Sequence, residues 1–452
     1  MGFLALIPLA LLAQTHTRWE ASVQAEVRAR TATPQDTNRG GNCGTADGGV
    51  VIGTCSGSVA DLEVRPRLAG AIFNGPWTLA GSYSPTLRSR EFYETQRLGQ
   101  SYVEHSHILT AEAVWQKEAA ARAFVAEYFN YGTLDLSTLS RDTTGGTGGV
   151  MIPPVRSGLG VVTDLTSDTS AGVDWYLTRR HTLTTTAGFL YGGGADEVSR
   201  ASLPLQSSIR GLARLAYLLS RLDTISGQVG VQYVRFYQAP ATNLAPANPG
   251  ARIVIIEASA NYARVISERT GANLSLGLTA ATGQVPNRDP LSPDVFTSVN
   301  GVAPLVAGSI DHRIPFRSQR FDLRANASYA PFVDRFAGSV YQRVEAGAAA
   351  SWTHVNHVSA GVSAGIARSI PVTNEPVLTT LSGDARIGYA GDPWWRVDLT
   401  GRLSLNDQPP VTPAMPDPMA APYYAFPDKQ WLIGLSITFF ASSTQPRTFQ
   451  GE

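Results

Sequence analysis

The sequence predicts an all-β fold: a transmembrane antiparallel up-and-down β-barrel, with 18 strands as the preferred count and 16 as the alternative. Three observations lead to this prediction. Apolar and charged side chains alternate along successive segments, and short polar turns alternate with long loops rich in Gly, Pro and Asn. Aromatic residues also recur at segment ends, as at Trp77, Trp115, Trp175 and Trp395. Periplasmic turns, extracellular loops and interfacial aromatic girdles account for all three.

The hairpin between residues 61 and 87 carries the pattern most clearly. Its first arm alternates charged residues with apolar ones, in the order Asp61, Leu62, Glu63, Val64, Arg65, Pro66, Arg67, Leu68. A period of two places the two sets on opposite faces of a strand, and Asn74-Gly75 predicts a tight turn. In a soluble sheet the apolar face would meet a core, whereas in an outer-membrane barrel it meets lipid and the charges face a wet lumen. A soluble β-sandwich or propeller would also alternate, but it needs neither aromatic strand ends nor a charged inner face.

The same alternation predicts about 17 strands along the chain. They cover residues 18–30, 61–68, 77–87, 105–116, 121–131, 169–178, 181–192, 206–219, 223–236, 252–265, 270–281, 319–331, 341–352, 356–367, 378–390, 394–406 and 430–440. The segment 121–131 has mixed parity, and we assign Phe124, Ala126 and Tyr128 to its outer face. An even number of strands is needed to leave both termini in the periplasm. The missing strand is expected within 282–318, at residues 301–312, although Pro304 suits a closed barrel poorly.

Composition and termini limit the alternatives. Lys+Arg and Asp+Glu balance at 36 each, which argues against a nucleic-acid partner. No apolar run approaches the roughly 20 residues of a transmembrane helix. The apolar start predicts a signal peptide over residues 1–13, followed by a single barrel domain over 14–452, and a buried N-terminal helix is the alternative.

Cys43 and Cys55 are the only two cysteines of the chain. In an exported protein, an even pair at this spacing predicts a disulfide that closes a surface loop. A zinc site is disfavoured because no second cysteine pair and no histidine lie nearby. We therefore expect no metal and no cofactor.

The predicted inner faces carry many charges of both signs. One interpretation is cross-strand ion pairing that stiffens the wall, and the other is a path that binds polar or anionic solutes weakly enough to release them. The predicted lumen-lining residues are Arg28, Arg30, Arg65, Arg67, Glu63, Arg210, Arg214, Asp322, Arg324, Arg343, Glu345, Asp384, Arg386, Arg396, Asp398 and Arg402. No catalytic residues are predicted, because His105 and His107 lack a third metal ligand or a triad partner.

The strand pattern, the arginine-rich inner faces and the chain length together resemble outer-membrane β-barrel porins encoded beside exopolysaccharide-export systems. Two sequence segments also support the resemblance: Ser82-Tyr-Ser-Pro-Thr-Leu87 and Val340-Tyr-Gln-Arg-Val-Glu345. The chain departs from the usual barrel ending, because residues 441–452 follow the aromatic Phe440. The resemblance implies a bacterial outer-membrane location and passage of a polysaccharide or similar polar polymer. Outer-membrane lipid and a periplasmic polysaccharide-export protein are the expected partners.

Three functions are therefore compared. The first is a channel for polar, saccharide-like solutes. The second is a surface scaffold whose long loops bind a partner while the lumen is closed. The third, with the least support, is an outer-membrane enzyme.

Overall fold

The structure is a computed structural model. It describes residues 16–31, 42–43, 55–56, 58–89, 103–117, 120–135, 161–196, 199–200, 203–238, 250–286, 296–334, 339–354, 357–371, 377–392, 394–407 and 429–443. Within these ranges no helix is long and apolar enough to cross a membrane. The predicted signal peptide, residues 1–13, lies outside the described residues.

The described residues form twenty strands. They are β1 (His16–Thr31), β2 (Asn42–Cys43), β3 (Cys55–Ser56), β4 (Ser58–Asn74), β5 (Trp77–Ser89), β6 (Val103–Lys117), β7 (Ala121–Asp135), β8 (Val161–Tyr176), β9 (His181–Gly194), β10 (Gln206–Leu218), β11 (Asp223–Phe236), β12 (Ala251–Ser267), β13 (Thr270–Pro286), β14 (Phe296–Phe316), β15 (Gln319–Asp334), β16 (Ser339–His354), β17 (Val358–Pro371), β18 (Leu378–Asp392), β19 (Trp395–Asp407) and β20 (Lys429–Ser442).

All strands except β2 and β3 form one closed antiparallel sheet of 18 strands. Each strand of this sheet pairs with the next one, and β1 closes the ring by pairing with both β4 and β20. Closure leaves no sheet edge, as a structure that spans hydrocarbon requires, because an unpaired backbone group finds no water there. The predicted barrel and the preferred count of 18 strands are confirmed. We call the end with the short turns the turn side, and the opposite end the loop side.

The two faces of the wall differ as the alternation predicts, and β19 shows this clearly. Leu399 points outward and is 46% exposed, whereas its neighbour Asp398 points inward and is 3% exposed. Trp77 on β5 and Trp115 on β6 lie side by side on the turn-side rim, with ring centroids 6.5 Å apart. Such paired rings suit the interface between hydrocarbon and water.

The missing strand is β14, and it accommodates Pro304 without losing a hydrogen bond of the barrel wall. β14 pairs with β13 from Phe296 to His312, including Pro304 opposite Leu278. Its pairing with β15 begins only at Val306, opposite Tyr329. Pro304 therefore lies where one side of β14 has no neighbouring strand, and a residue without an N–H is tolerated at such a position.

The strands bordering the first long predicted loop are longer than expected. We predicted irregular structure from Gly132 to Ser167, but β7 continues to Asp135 and β8 begins at Val161. Residues 132–135 pair with residues 161–164. Polar and glycine residues in this stretch hide the alternation, and pairing between the two strands supplies the order that the sequence pattern lacks.

The predicted outer face of β7 is wrong. Register with β6 places Ala123 beside Trp115 and Val125 beside Ala113, so these residues face outward and Phe124 and Tyr128 face inward. Apolar residues occupy both odd-numbered and even-numbered positions of this strand, so only its pairing with neighbouring strands decides which set faces outward. The correction places Glu127 on the outer face, where its carboxylate accepts hydrogen bonds from the hydroxyls of Ser167, at 2.7 Å, and Thr169.

β2 and β3 form a separate two-stranded ladder within the first loop. Its backbone register places Cys43 directly opposite Cys55. The predicted disulfide between them stays a prediction.

Candidate functional site

The inward positions of the barrel strands form the candidate site. Every predicted lumen-lining residue stands at an inward position, with the parity opposite to that of the exposed apolar residues of its strand. Most of these residues take part in ion pairs. Most pairs join neighbouring strands or residues two apart on one strand, one spans an intervening strand, and together they form local groups around the wall.

The most buried group lies on the loop side of β1, β4 and β5. Glu63 contacts three arginines: Arg28, Arg65 and Arg88, the last with its Nε 2.9 Å from Glu63 Oε2. Arg30 donates from Nε to Asp61 Oδ2 at 2.7 Å. Buried charges are tolerated when opposite charges stand beside them, and within this group each charge has a neighbour of opposite sign.

A second group lies across β18 and β19. Asp398 Oδ1 accepts hydrogen bonds from Arg386 Nε at 3.0 Å and Arg396 Nε at 2.9 Å. Arg396 also donates to Ser359 Oγ at 2.9 Å. Arg402 pairs with Asp384 on the same wall. The inward Gly388 leaves room for this group, because a Cβ there would collide with the Asp398 carboxylate.

A third group bridges two strands over a glycine. Arg210 on β10 donates from Nη2 to both carboxylate oxygens of Asp168 on β8, at 2.8 and 2.9 Å. Gly188 on β9 lies between them, and a Cβ at that position would stand 2.5 Å from Arg210 Nε. Glycine therefore permits the guanidinium to lie flat across the intervening strand.

The remaining predicted residues form local contacts. Nε of Arg324 lies 2.5 Å from Oδ1 of Asp311. Asp322 pairs with two arginines, its Oδ1 lying 3.1 Å from Nε of Arg313 and its Oδ2 2.6 Å from Nε of Arg320. Nε of Arg343 lies 2.5 Å from Oε1 of Glu345. Arg214 donates from Nε to Ser226 Oγ at 3.0 Å. Cross-strand pairing is therefore the common state of the inner wall.

The wall opposite the Glu63 group is apolar on its loop side. β12 is the ninth neighbour of β1 in both directions round the ring of 18 strands, so the two strands face each other across the barrel. The inward Val234, Phe236, Ile253, Ile255 and Val285 form a buried cluster there. Side chains of both walls are fully buried at this level, with Glu63 and Ile253 each 0% exposed. On the turn side, by contrast, inward arginines such as Arg313 and Arg324 are exposed.

A recess of about 500 Å³ opens in the turn-side half of the wall formed by β1 and β4–β8. Two rows of inward side chains line it. The first row is Arg18, Ala71, Ala80, Glu112, Ala126 and Ser170, and the second is Glu20, Ala69, Ser82, Thr110, Tyr128 and Asp168. Small residues separate the charged ones and create the space: Ala71 and Ala80 lie between Arg18 and Glu112 in the first row, and Ala69 and Ser82 follow Glu20 in the second.

Charged groups without ion pairs border this recess. Arg67, Glu20 and Glu112 line it, and none of them has a hydrogen-bond or ion-pair partner among the residues that the structure describes. Among the described residues, the interaction found for the Arg18 side chain is with an aromatic ring, its guanidinium carbon lying 6.0 Å from the centroid of Phe73. The recess thus differs from the paired wall elsewhere, because its polar groups are available to a solute.

Sequence reasoning placed Arg67 in the lumen but did not single out this recess. Tyr128 was assigned to the wrong face, and Arg18 was not selected. The signal that would have found the recess is the pairing of small inward residues on neighbouring strands, and it requires the register. His105 and His107 lie on the outward side of β6, where Nδ1 of His107 is 2.7 Å from the Tyr83 hydroxyl. The described part of the chain contains no group of three or more potential metal ligands.

A closed antiparallel barrel with an apolar outer band, aromatic rims and a charged interior is a bacterial outer-membrane protein of the porin class. A family model described as the EpsX exopolysaccharide export family matches residues 52–417. The chain belongs to this family. No curated protein matches the sequence.

Solved structures match the chain at very low sequence identity. OpdK from Pseudomonas aeruginosa, crystallised with vanillate, is 8% identical with a TM-score of 0.45, and the match covers 94% of this chain and 98% of that one. OccAB4 from Acinetobacter baumannii is 8% identical, with a TM-score of 0.44 and coverage of 95% and 99%. The FrpB iron transporter from Neisseria meningitidis is 8% identical, with a TM-score of 0.49 and coverage of 94% and 69%.

Proposed function

We propose that the barrel is an outer-membrane channel through which saccharide chains leave the cell as part of exopolysaccharide export. The observation that supports it most is the inner wall, where arginines and carboxylates occupy inward positions on most strands of the ring of 18. A barrel of this width encloses more space than its own side chains fill. Paired charges keep the wall polar without giving it a large net charge. Such a wall suits a hydroxyl-rich polymer, which must bind weakly and be released again.

The predicted lumen-lining residues take two roles in this proposal. Paired groups such as Arg402 with Asp384 stiffen the wall, and the groups without ion pairs in the recess contact the solute. No step of the proposal requires catalysis. A periplasmic export protein that meets the turn-side rim is the partner that would deliver the polymer.

Planar-bilayer conductance of the purified protein tests the channel. Steady open-channel currents are expected, with reversible blocks when neutral oligosaccharide is added. Arg67→Gln should change ion selectivity, because it removes one unpaired charge from the lumen. The control is Gln228→Ala, an inward substitution on β11 that removes no charge. A folded barrel that carries no current under any voltage would contradict the proposal.

One observation favours the second candidate, a surface scaffold with a closed lumen. On the loop side, inward side chains of the opposing walls are buried on both sides, as Glu63 and Ile253 show. A permanently closed lumen would give no current in the same conductance measurement. A lumen that opens would give currents, so one experiment separates the two candidates.

A further inference from the structure

The recess on β1 and β4–β8 differs from the rest of the inner wall in its chemistry and its position. Its floor is made of small side chains, including Ala69, Ala71, Ala80 and Ala126. Its volume of about 500 Å³ falls within the roughly 300–1,000 Å³ of small-molecule binding pockets. It lies in the turn-side half, which faces the periplasm in a barrel of this class. A solute that enters from the periplasm therefore meets the recess before the buried loop-side region.

Hydrogen-bonding groups stand beside this floor and within it. Arg18, Glu20 and Arg67 border it on β1 and β4, and Glu112 stands on β6 between Ala80 and Ala126. β1 and β6 are three strand spacings apart, which corresponds to roughly 14 Å. A ligand that spans the floor could accept hydrogen bonds from the guanidiniums and donate hydroxyl protons to the carboxylates.

The next side of the recess adds hydroxyls and an aromatic ring. Ser82 Oγ and Thr110 Oγ1 are 2.7 Å apart and lie beside Tyr128 in one row. The Tyr128 side chain is exposed to the lumen. A flat aromatic face next to convergent polar groups fits a ring that has an apolar C–H face and a polar rim.

The numbers of positive and negative side chains around the recess determine which saccharides it favours. Two arginines and two glutamates without ion pairs border the recess, and Asp168, which lies beside Tyr128, is already neutralised by Arg210. A uronate would gain from Arg18 and Arg67 but would be repelled by Glu20 and Glu112. An uncharged, hydroxyl-rich sugar can use donors and acceptors of both kinds.

We propose that this recess is a periplasm-facing binding site for a neutral, hydroxyl-rich saccharide segment, which it holds across the alanine floor with Glu112, Arg67 and Tyr128 as its main contacts. This inference rests on the proposed saccharide passage and specifies where the chain is first held and which chemical class is preferred.

Calorimetric titration of the purified, detergent-solubilised barrel tests the site without requiring an open channel. The probes are a neutral glucan hexasaccharide and a galacturonate hexasaccharide of equal length. We expect the neutral probe to bind more tightly. Glu112→Gln, Arg67→Gln and Tyr128→Ala should each weaken its binding about tenfold, since a hydrogen bond to a charged group contributes about that factor. Gln228→Ala, outside the recess, is the matched control, and unboiled gel mobility confirms that each variant is folded.

The outcomes separate this site from the channel itself. Equal binding by Tyr128→Ala, Glu112→Gln and the control, or tighter binding of the galacturonate, would overturn the inference. Channel currents without saccharide binding would support the proposed channel function and refute the proposed binding site. Binding that depends on the recess residues, in a barrel that never conducts, would support the site and refute passage.

Discussion

Leu399 and Arg402 lie three residues apart on β19 and point to opposite sides of the wall. Leu399 is exposed on the outer face, and Arg402 pairs with Asp384 in the lumen. Leu399→Arg should impair assembly, because an arginine facing lipid near mid-membrane costs about 2–4 kcal/mol. Arg402→Gln should assemble normally and alter ion selectivity, because a wet, partly exposed pair contributes little to folding. Heat-modifiable gel mobility of outer-membrane fractions measures assembly. The reverse result would mean that the charged face is a buried core network.

Glu127 is a charged residue on the outer face of β7, level with Ala111 of β6 and Thr169 of β8. A carboxylate facing hydrocarbon destabilises a barrel, although less than an arginine does. Glu127→Val should therefore raise the free energy of unfolding, measured by urea denaturation in lipid vesicles. Glu112→Val, on the inward face of the neighbouring strand, is the comparison and should give no such gain. A loss of stability in Glu127→Val would show that Glu127 meets protein rather than lipid.

At the scale of elements, the ladder of β2 and β3 gives the predicted disulfide a specific backbone setting. Cys43 and Cys55 are register partners, and closing a loop of this length would contribute about 3 kcal/mol on the chain-entropy model. We expect neither cysteine to react with maleimide on intact cells. After reduction both should react, which serves as the positive control. Labelling of both thiols without reduction would refute the bond.

Inward glycines are a second feature at this scale. Gly188 lies beneath Arg210, and Gly388 lies beneath the Asp398 group. Both allow long charged side chains to lie along the wall instead of projecting across the lumen. The width of the lumen therefore depends on where strands carry glycine as well as on where they carry charge.

At the scale of the whole molecule, closure of the sheet depends on β20. This strand pairs with β19 on one side and β1 on the other, and its last register partner is Ser442. Deleting residues 429–452 should abolish the heat-modifiable barrel, because β1 and β19 would expose unpaired backbone groups to hydrocarbon. Deleting only residues 444–452 retains every pair of the ring and should leave assembly intact. Failure of the shorter deletion would show that the terminal residues are needed for recognition by the assembly machinery.

The sequence by itself determined the barrel and the two faces of most strands, and it favoured 18 strands over the alternative of 16. A period of two is local information, so each charged residue of β4 or β19 could be assigned to the inside from its own strand. Even β14 was located, because the requirement for an even number of strands left one gap in the chain.

Only the tertiary structure decided what depends on neighbouring strands. β7 carries apolar residues at both parities, so its register with β6 and β8 placed Glu127 outside and Tyr128 inside. Ion-pair partners such as Arg210 and Asp168 lie 42 positions apart and meet across a glycine of a third strand. The recess arises in the same way, since small residues of β4, β5, β7 and β8 create space only when register aligns them. Alternation along one strand carries no information about this alignment, because register is a relation between strands.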